Sequence, residues 1–186
     1  MNPFEKNHLN NFIAGWYIDS YLCDSIVDEI EINPHKFSAG IKEYTNCDML
    51  QFNKQLHDQY CFQLNNVVEE YKRLYPECYE NLHIWGWTPP RLQKYEPGKA
   101  YRELHCENNG QGLYQSRHLV YMTYLNDIHD GGGTEFPQQD LIIPAKKGLT
   151  LIWPAGWTHH HRGIVSDTQK KFIITGWFCF YPDRPR

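Results

Sequence analysis

Apolar positions recur at two different periods along this chain, and the change of period divides it. Between residues 17 and 75 they return every three or four residues, the spacing that lays one stripe along a helix. Met49, Phe52, Leu56, Tyr60, Leu64, Val68 and Tyr71 form such a stripe, which predicts a long helix after Asn46 that ends before Pro76. Asp19 or Ser20 can cap an earlier helix through about Glu29, because a short oxygen-bearing side chain accepts from the free N–H groups of a first turn. From His83 onward the period becomes two. Strands are predicted at His83–Trp87, Leu92–Tyr95, Tyr101–Cys106, Leu119–Leu125, Leu141–Ile143, Leu149–Trp153, His161–Val165 and Phe172–Phe180. Between them lie Glu96-Pro97-Gly98, Asp130-Gly131-Gly132-Gly133 and Lys147-Gly148, which carry the chemistry of turns.

A helical block of about residues 17–78 followed by roughly eight short strands over about 83–181 points to an α+β, mainly β fold. The architecture expected is a double-sheet jelly roll buttressed by N-terminal helices, with an open sandwich as the alternative. The 186 residues suit one domain spanning 1–186 with a sizeable core. The six cysteines are scattered without a CxxC pair, which reads as reduced thiols and not as a disulfide framework or a zinc ribbon. A formal net charge of -4 and the lack of a basic run give no footprint for nucleic acid. No stretch is long and apolar enough for a membrane span, and Met1–Asn11 lacks the apolar core of a secretory signal, so a cytoplasmic protein is expected.

Two clusters carry chemistry. In an extended segment alternate side chains share a face, so His105 and Glu107 can both enter one cavity as neighbouring ligands of a divalent ion. The bland alternative is a surface His and a surface Glu beside the Asn108-Asn109-Gly110 turn. The second cluster is His159-His160-His161, followed by the strand that begins at Lys171. On that strand Lys171, Ile173, Thr175 and Trp177 share one face, and Phe172, Ile174 and Phe178 the other. A lysine on an inward face calls for an anion, since an unpaired buried ammonium is costly; the competing reading places it at an exposed strand end, its charge in water. Two imidazoles and one carboxylate with open positions make the facial triad of non-haem Fe(II) oxygenases.

The ordered motifs resemble the prolyl 4-hydroxylase branch of the 2-oxoglutarate/Fe(II)-dependent dioxygenases. They run through Tyr95-Glu96-Pro97-Gly98, Tyr101, His105-Cys106-Glu107, Arg117, Tyr124-Leu125-Asn126 and Gly132-Gly133-Thr134-Glu135-Phe136. Pro144-Ala145-Lys146-Lys147-Gly148, Trp153-Pro154, His161 and Lys171 follow. Trp157-Thr158 and Thr175-Gly176-Trp177 give the flavour of small stand-alone members in phages and bacteria. The resemblance implies a double-stranded β-helix (jelly roll, cupin-like) and iron held by His105, Glu107 and His161. His161 is chosen for its ten-residue distance to Lys171; His159 is the serious alternative and His160 the least favoured.

The resemblance further implies that Lys171 pairs with the far carboxylate of 2-oxoglutarate, helped by Tyr124 and Thr175, with Tyr95 against the cosubstrate. Arg117 and Trp177 take positions used against the prime substrate. The cofactor set is Fe(II), 2-oxoglutarate and O2, with ascorbate as reductant. The implied reaction is hydroxylation of a prolyl residue in a peptide, or of free proline, by a monomer; another amino-acid side chain is the runner-up. One departure stands out: the family's usual carboxylate ligand is Asp, and this chain has Glu107. Two other readings compete, a catalytically silent jelly-roll binding module and a zinc-dependent hydrolase built on the same ligands. Cys106–Ser116, Asn126–Gly133 and residues 30–48 are the candidate substrate loops, the second of them expected to be mobile.

Overall fold

The structure, a computed structural model, describes residues 11–40, 43–80, 82 and 85–181. Helix α1 (Ser20–Ile32) starts where the pattern places it. Asp19 is extended, and its carboxylate accepts from the Tyr21 N–H at 2.8 Å. Leu22, Cys23, Ile26 and Ile30 form its buried stripe.

The single long helix expected after Asn46 is broken. Thr45–Asp48 is a strand, Met49–Phe52 a single helical turn (α2), and Lys54–Leu74 the main helix α3. The break is chemical: Asp48 and Asn53 are both extended, and each side chain caps the turn that follows it. The Asn53 side-chain oxygen accepts from Gln55 N and Leu56 N at 3.1 and 3.2 Å. Such short polar side chains offer the backbone an alternative to continuing a helix. The apolar stripe survives the interruption, with Met49 and Phe52 buried from α2 and Tyr60, Leu64, Val68 and Tyr71 from α3. Helix α3 ends at Leu74, ahead of Pro76.

The main sheet has eight strands. The order is β1 (Ala14–Tyr17), β9 (Leu149–Pro154), β6 (Arg117–Tyr124), β11 (Lys171–Phe180), β5 (Arg91–Tyr95), β3 (Thr45–Asp48) and β2 (Ser38–Ala39). Strand β4 (Trp85–Trp87) pairs with the far end of β11. A second sheet holds β10 (Arg162–Gly163), β7 (Thr134–Phe136) and β8 (Leu141–Ile143). All pairings are antiparallel. Together they form a mainly β, double-stranded β-helix with helices on one side.

Strand alternation decides which core each residue joins. On β6 and β11, Leu119, Tyr121, Phe172, Ile174 and Phe178 pack with the helices, while Val120, Met122, Tyr124 and Ile173 face Phe136 and Ile143 of the second sheet. Fully burying one such side chain contributes roughly 1.5–3 kcal/mol, so a one-residue slip of β11 would invert both cores at once.

Strands β1, β2, β3 and β7 were not expected from the pattern. Strand β1 precedes the helical block, and β2 and β3 lie inside it, where they pair with each other and β3 adds to the β5 edge. Two expected strands shrink. Tyr101–Cys106 makes no strand and carries a single bridge, His105 to His161. His161–Val165 contributes only Arg162–Gly163 beyond that bridge. Of His83–Trp87, Trp85–Trp87 is strand, and His83 and Ile84 lie outside the described residues. The Asn126–Gly133 loop, expected to be mobile, is tied down through Asp130. That carboxylate accepts from Ser166 Oγ at 2.5 Å and from Thr168 N and Oγ1 at 2.9 and 2.8 Å.

Candidate metal and cosubstrate site

The bridge between His105 and His161 is the foundation of the site. Each residue's N–H donates to the other's carbonyl, at 3.1 and 2.9 Å, which sets the two imidazoles side by side with centroids 4.4 Å apart. Both rings are held in one tautomer. His105 Nδ1 lies 2.8 Å from Glu103 O and His161 Nδ1 3.0 Å from His159 O. A carbonyl only accepts, so each Nδ1 carries the proton and each Nε2 offers its lone pair. Tyr101 covers His105 at 4.1 Å, and Trp153 meets His161 edge-on at 5.1 Å.

Glu107 completes the group. Its Oε1 stands 3.5 Å from His105 Nε2 and 3.8 Å from His161 Nε2, and ligand atoms of all three residues lie within 4.8 Å of one another. Ligands about 2 Å from a common ion need only a small contraction from this arrangement, so the donor set fits a divalent metal. The electrostatics agree. Burial raises the Glu107 carboxyl, but His105, His161 and Arg117 outweigh it and hold the group below its usual range. Burial and the neighbouring His105 push the His161 imidazole down to about 4, leaving it neutral and ready to donate.

The alternatives to His161 have other partners. His159 is buried, with Nε2 2.7 Å from Asn11 O and Nδ1 2.9 Å from Thr158 Oγ1, so both nitrogens are engaged away from Glu107. His160 Nδ1 bonds Trp157 O at 2.5 Å.

The triad opens on a cavity of about 370 Å³. Tyr95, Thr175, Arg117, Trp177 and Lys171 all line it. Lys171 is 6% exposed, which settles its two readings in favour of the inward face. Its ammonium lies 4.7 Å from the Tyr95 ring centroid, and no carboxylate pairs with it among the described residues. Burial alone lowers it to about 8. A cavity with a buried, carboxylate-free ammonium suits a ligand that brings its own negative charge.

Tyr124 sits one layer back. Its hydroxyl is 2.6 Å from Thr134 Oγ1, and Thr134 is the one of the pair that reaches the cavity. The Thr175 hydroxyl donates to Tyr121 O at 3.2 Å, and the Tyr95 hydroxyl to Gln93 Oε1 at 2.8 Å.

Arg117 is placed against the triad itself. Its Nη1 donates to Glu107 Oε2 at 2.7 Å, and its guanidinium stacks 3.5 Å from the Trp177 centroid and 4.3 Å from that of Tyr114. Sequence reasoning missed Gln93, Tyr44, Tyr114 and Thr134 as wall residues. Gln93 was detectable, being two residues before Tyr95 on one strand and therefore on its face. Tyr44 lies in the candidate loop 30–48, but its pattern did not single it out; it packs on Tyr95 at 5.4 Å. Of the candidate loops, Cys106–Ser116 supplies Cys106, Glu107, Asn109 and Tyr114 to the wall and residues 30–48 supply Tyr44, whereas Asn126–Gly133 supplies nothing.

Residues 90–179 match the sequence model of the 2OG-Fe(II) oxygenase superfamily. No curated protein matches the chain by sequence. Among solved structures, the fold is similar to a prolyl-4-hydroxylase of Pseudomonas putida, with a TM-score of 0.72 at 14% identity over 92% of this chain and 94% of that one. It is also similar to the viral collagen prolyl hydroxylase of Paramecium bursaria Chlorella virus-1 in complex with 2OG. That match has a TM-score of 0.67 at 16% identity, covering 92% and 97% of the two chains. A prolyl hydroxylase from Trichoplax adhaerens, solved with a hypoxia inducible factor peptide fragment, gives 0.64 at 15% identity over 92% and 84%.

Proposed function

We propose that this chain is a dioxygenase of the 2OG-Fe(II) oxygenase superfamily, whose sequence model matches residues 90–179, and that it hydroxylates a prolyl residue of a peptide. The observation that carries the reading is one cavity in which a His105–Glu107–His161 donor set and the carboxylate-free ammonium of Lys171 occur together. His105, Glu107 and His161 would hold Fe(II) through Nε2, Oε1 and Nε2. With 2-oxoglutarate and O2 the bound metal supplies oxidation of an unactivated C–H bond, leaving succinate and CO2.

The protein's own part is binding and exclusion. Lys171 pairs with the distal carboxylate of 2-oxoglutarate, and Tyr95 presents its ring beneath that ammonium. Thr175 and Thr134, the latter backed by the Tyr124 hydroxyl, are the polar wall groups available to the same anion. Tyr101, Trp153 and Phe136 pack around the two imidazoles and keep bulk water from their outer faces. Trp177, stacked on Arg117, forms the wall offered to the prime substrate. Among the described residues that line the cavity Glu107 is the sole carboxylate. A zinc hydrolase there would have no second carboxylate to serve as general base.

The prolyl assignment is supported by the fold shared with the hydroxylases above. Its test is a mass-spectrometric screen with Fe(II), 2-oxoglutarate and ascorbate, offering proline-rich peptides and free proline. We expect a +16 Da product on proline together with succinate, both lost in His105→Ala. Oxygen added only to other residues would retire the prolyl assignment. Failure to bind both a divalent ion and 2-oxoglutarate would retire the oxygenase site itself.

A further inference from the structure

We infer that Arg117 is a positioning residue for the metal ligand Glu107, and that the two form a matched pair through which this chain accommodates a glutamate at the carboxylate position. The inference rests on the triad assignment given under Proposed function. A glutamate has one more rotatable bond than an aspartate and two equivalent oxygens, so left alone it would sample several poses over an ion. Here the poses are removed one by one. Oε2 accepts from Arg117 Nη1 at 2.7 Å, and the same nitrogen lies 3.1 Å from the Glu107 carbonyl, so a single guanidinium spans the backbone and the tip of the side chain. Oε1 is then the oxygen turned to both imidazoles, at 3.5 and 3.8 Å.

The guanidinium is itself fixed. Trp177 and Tyr114 stack on it with centroids 3.5 and 4.3 Å from Cζ. The start of β6 is tied to the loop beyond Glu107, since the Asn108 side-chain amide donates to the carbonyls of Gln115 and Arg117 at 3.1 and 2.9 Å. A hydrogen bond from guanidinium to carboxylate and an aromatic ring over the guanidinium thus link the donor set to the cavity wall. The expected consequence is that Glu107 binds an ion through Oε1 alone while Arg117 occupies Oε2. Outer-shell partners of this kind typically change metal affinity by about 10–100-fold when removed.

The experiment is a Co(II) titration of the full chain without cosubstrate, reading the dissociation constant and the visible ligand-field spectrum for wild type, Arg117→Met, Arg117→Lys, Glu107→Asp and the double variant Glu107→Asp with Arg117→Met. Arg117→Met should weaken Co(II) binding by about 10-fold or more and alter the spectrum, because the freed oxygen becomes a second donor. Arg117→Lys, which keeps the charge without the fork, should fall between wild type and Met. Glu107→Asp should make the remaining Arg117 effect much smaller in the double variant, since the shorter arm cannot reach ion and guanidinium together.

If Arg117→Met does not fold, Arg117→Lys decides by itself. A several-fold loss of affinity supports the pairing, and wild-type affinity with a wild-type spectrum overturns it. Should Co(II) bind all variants equally while only the KM for a peptide changes, Arg117 is a substrate contact and the inference fails. Should wild type bind no Co(II), the triad assignment fails instead.

Discussion

Replacing Lys171 by Met should make the protein more stable and unable to hold its cosubstrate. The ammonium is buried, and burial lowers it from 10.5 to about 8. Each tenfold change in proton affinity is worth about 1.4 kcal/mol, so the ligand-free protein carries about 3 kcal/mol of desolvation at neutral pH. The Tyr95 ring, 4.7 Å away, offsets roughly 1 kcal/mol of that. Methionine fills nearly the same volume without the charge, which leaves a net gain of about 2 kcal/mol. For a chain of this size that is a rise in Tm of about 4–8 °C.

The pH dependence carries a definite sign. Between pH 8 and 10.5 the unfolded chain binds a proton at this position that the folded chain has released. Wild-type stability therefore rises across that window, so the advantage of the variant shrinks within it and is lost above pH 10.5. Thermal denaturation at pH 7 and at pH 10.5, with calorimetric titration of 2-oxoglutarate into Co(II)-loaded protein, measures both effects. A variant no more stable than wild type at pH 7, or one that keeps wild-type affinity for 2-oxoglutarate, refutes the argument.

In wild type, 2-oxoglutarate affinity should decline as pH rises above about 8, since the ammonium that answers its carboxylate is lost; titrations at pH 7, 8 and 9 show the trend. His159→Ala should keep Co(II) affinity while costing about 1–2 kcal/mol of stability from its buried hydrogen bonds, whereas His161→Ala should abolish ion binding; parallel metal titrations and urea melts separate the two. Gly131→Ala should destabilise by about 2 kcal/mol or more, because φ there is +130° and a Cβ would sit 2.0 Å from Val165 O; a lowered urea midpoint is the expected reading.

The parts of this molecule visible in the sequence are those that a repeat period encodes. Alternation from Lys171 to Phe178 assigned side chains to two faces, and the cores follow that assignment, as they follow the alternation of the expected strand at Leu119–Leu125. Parity also put Lys171 inward, although it could not say whether the strand began buried or exposed. What stayed hidden is what single side chains or long-range pairing decide. Asn53 interrupts a perfectly periodic helix by capping, and β2 and β3 form as strands where the β5 edge is there to receive them. His105 and Glu107 share the site although no regular strand carries them. The bond from Arg117 to Glu107 joins residues ten apart across a loop, and nothing in either residue's neighbourhood announces it.

The backbone bridge between His105 and His161 also bears on how the site exchanges its ion. Two donors 56 residues apart in sequence are welded into one cross-strand unit, with their spacing set by peptide groups and not by the cation. An arriving ion therefore finds an assembled receptacle and has no segment to fold around itself. Loading and loss become matters of supply and desolvation, and the chain is expected to keep its shape through cycles of depletion and refilling.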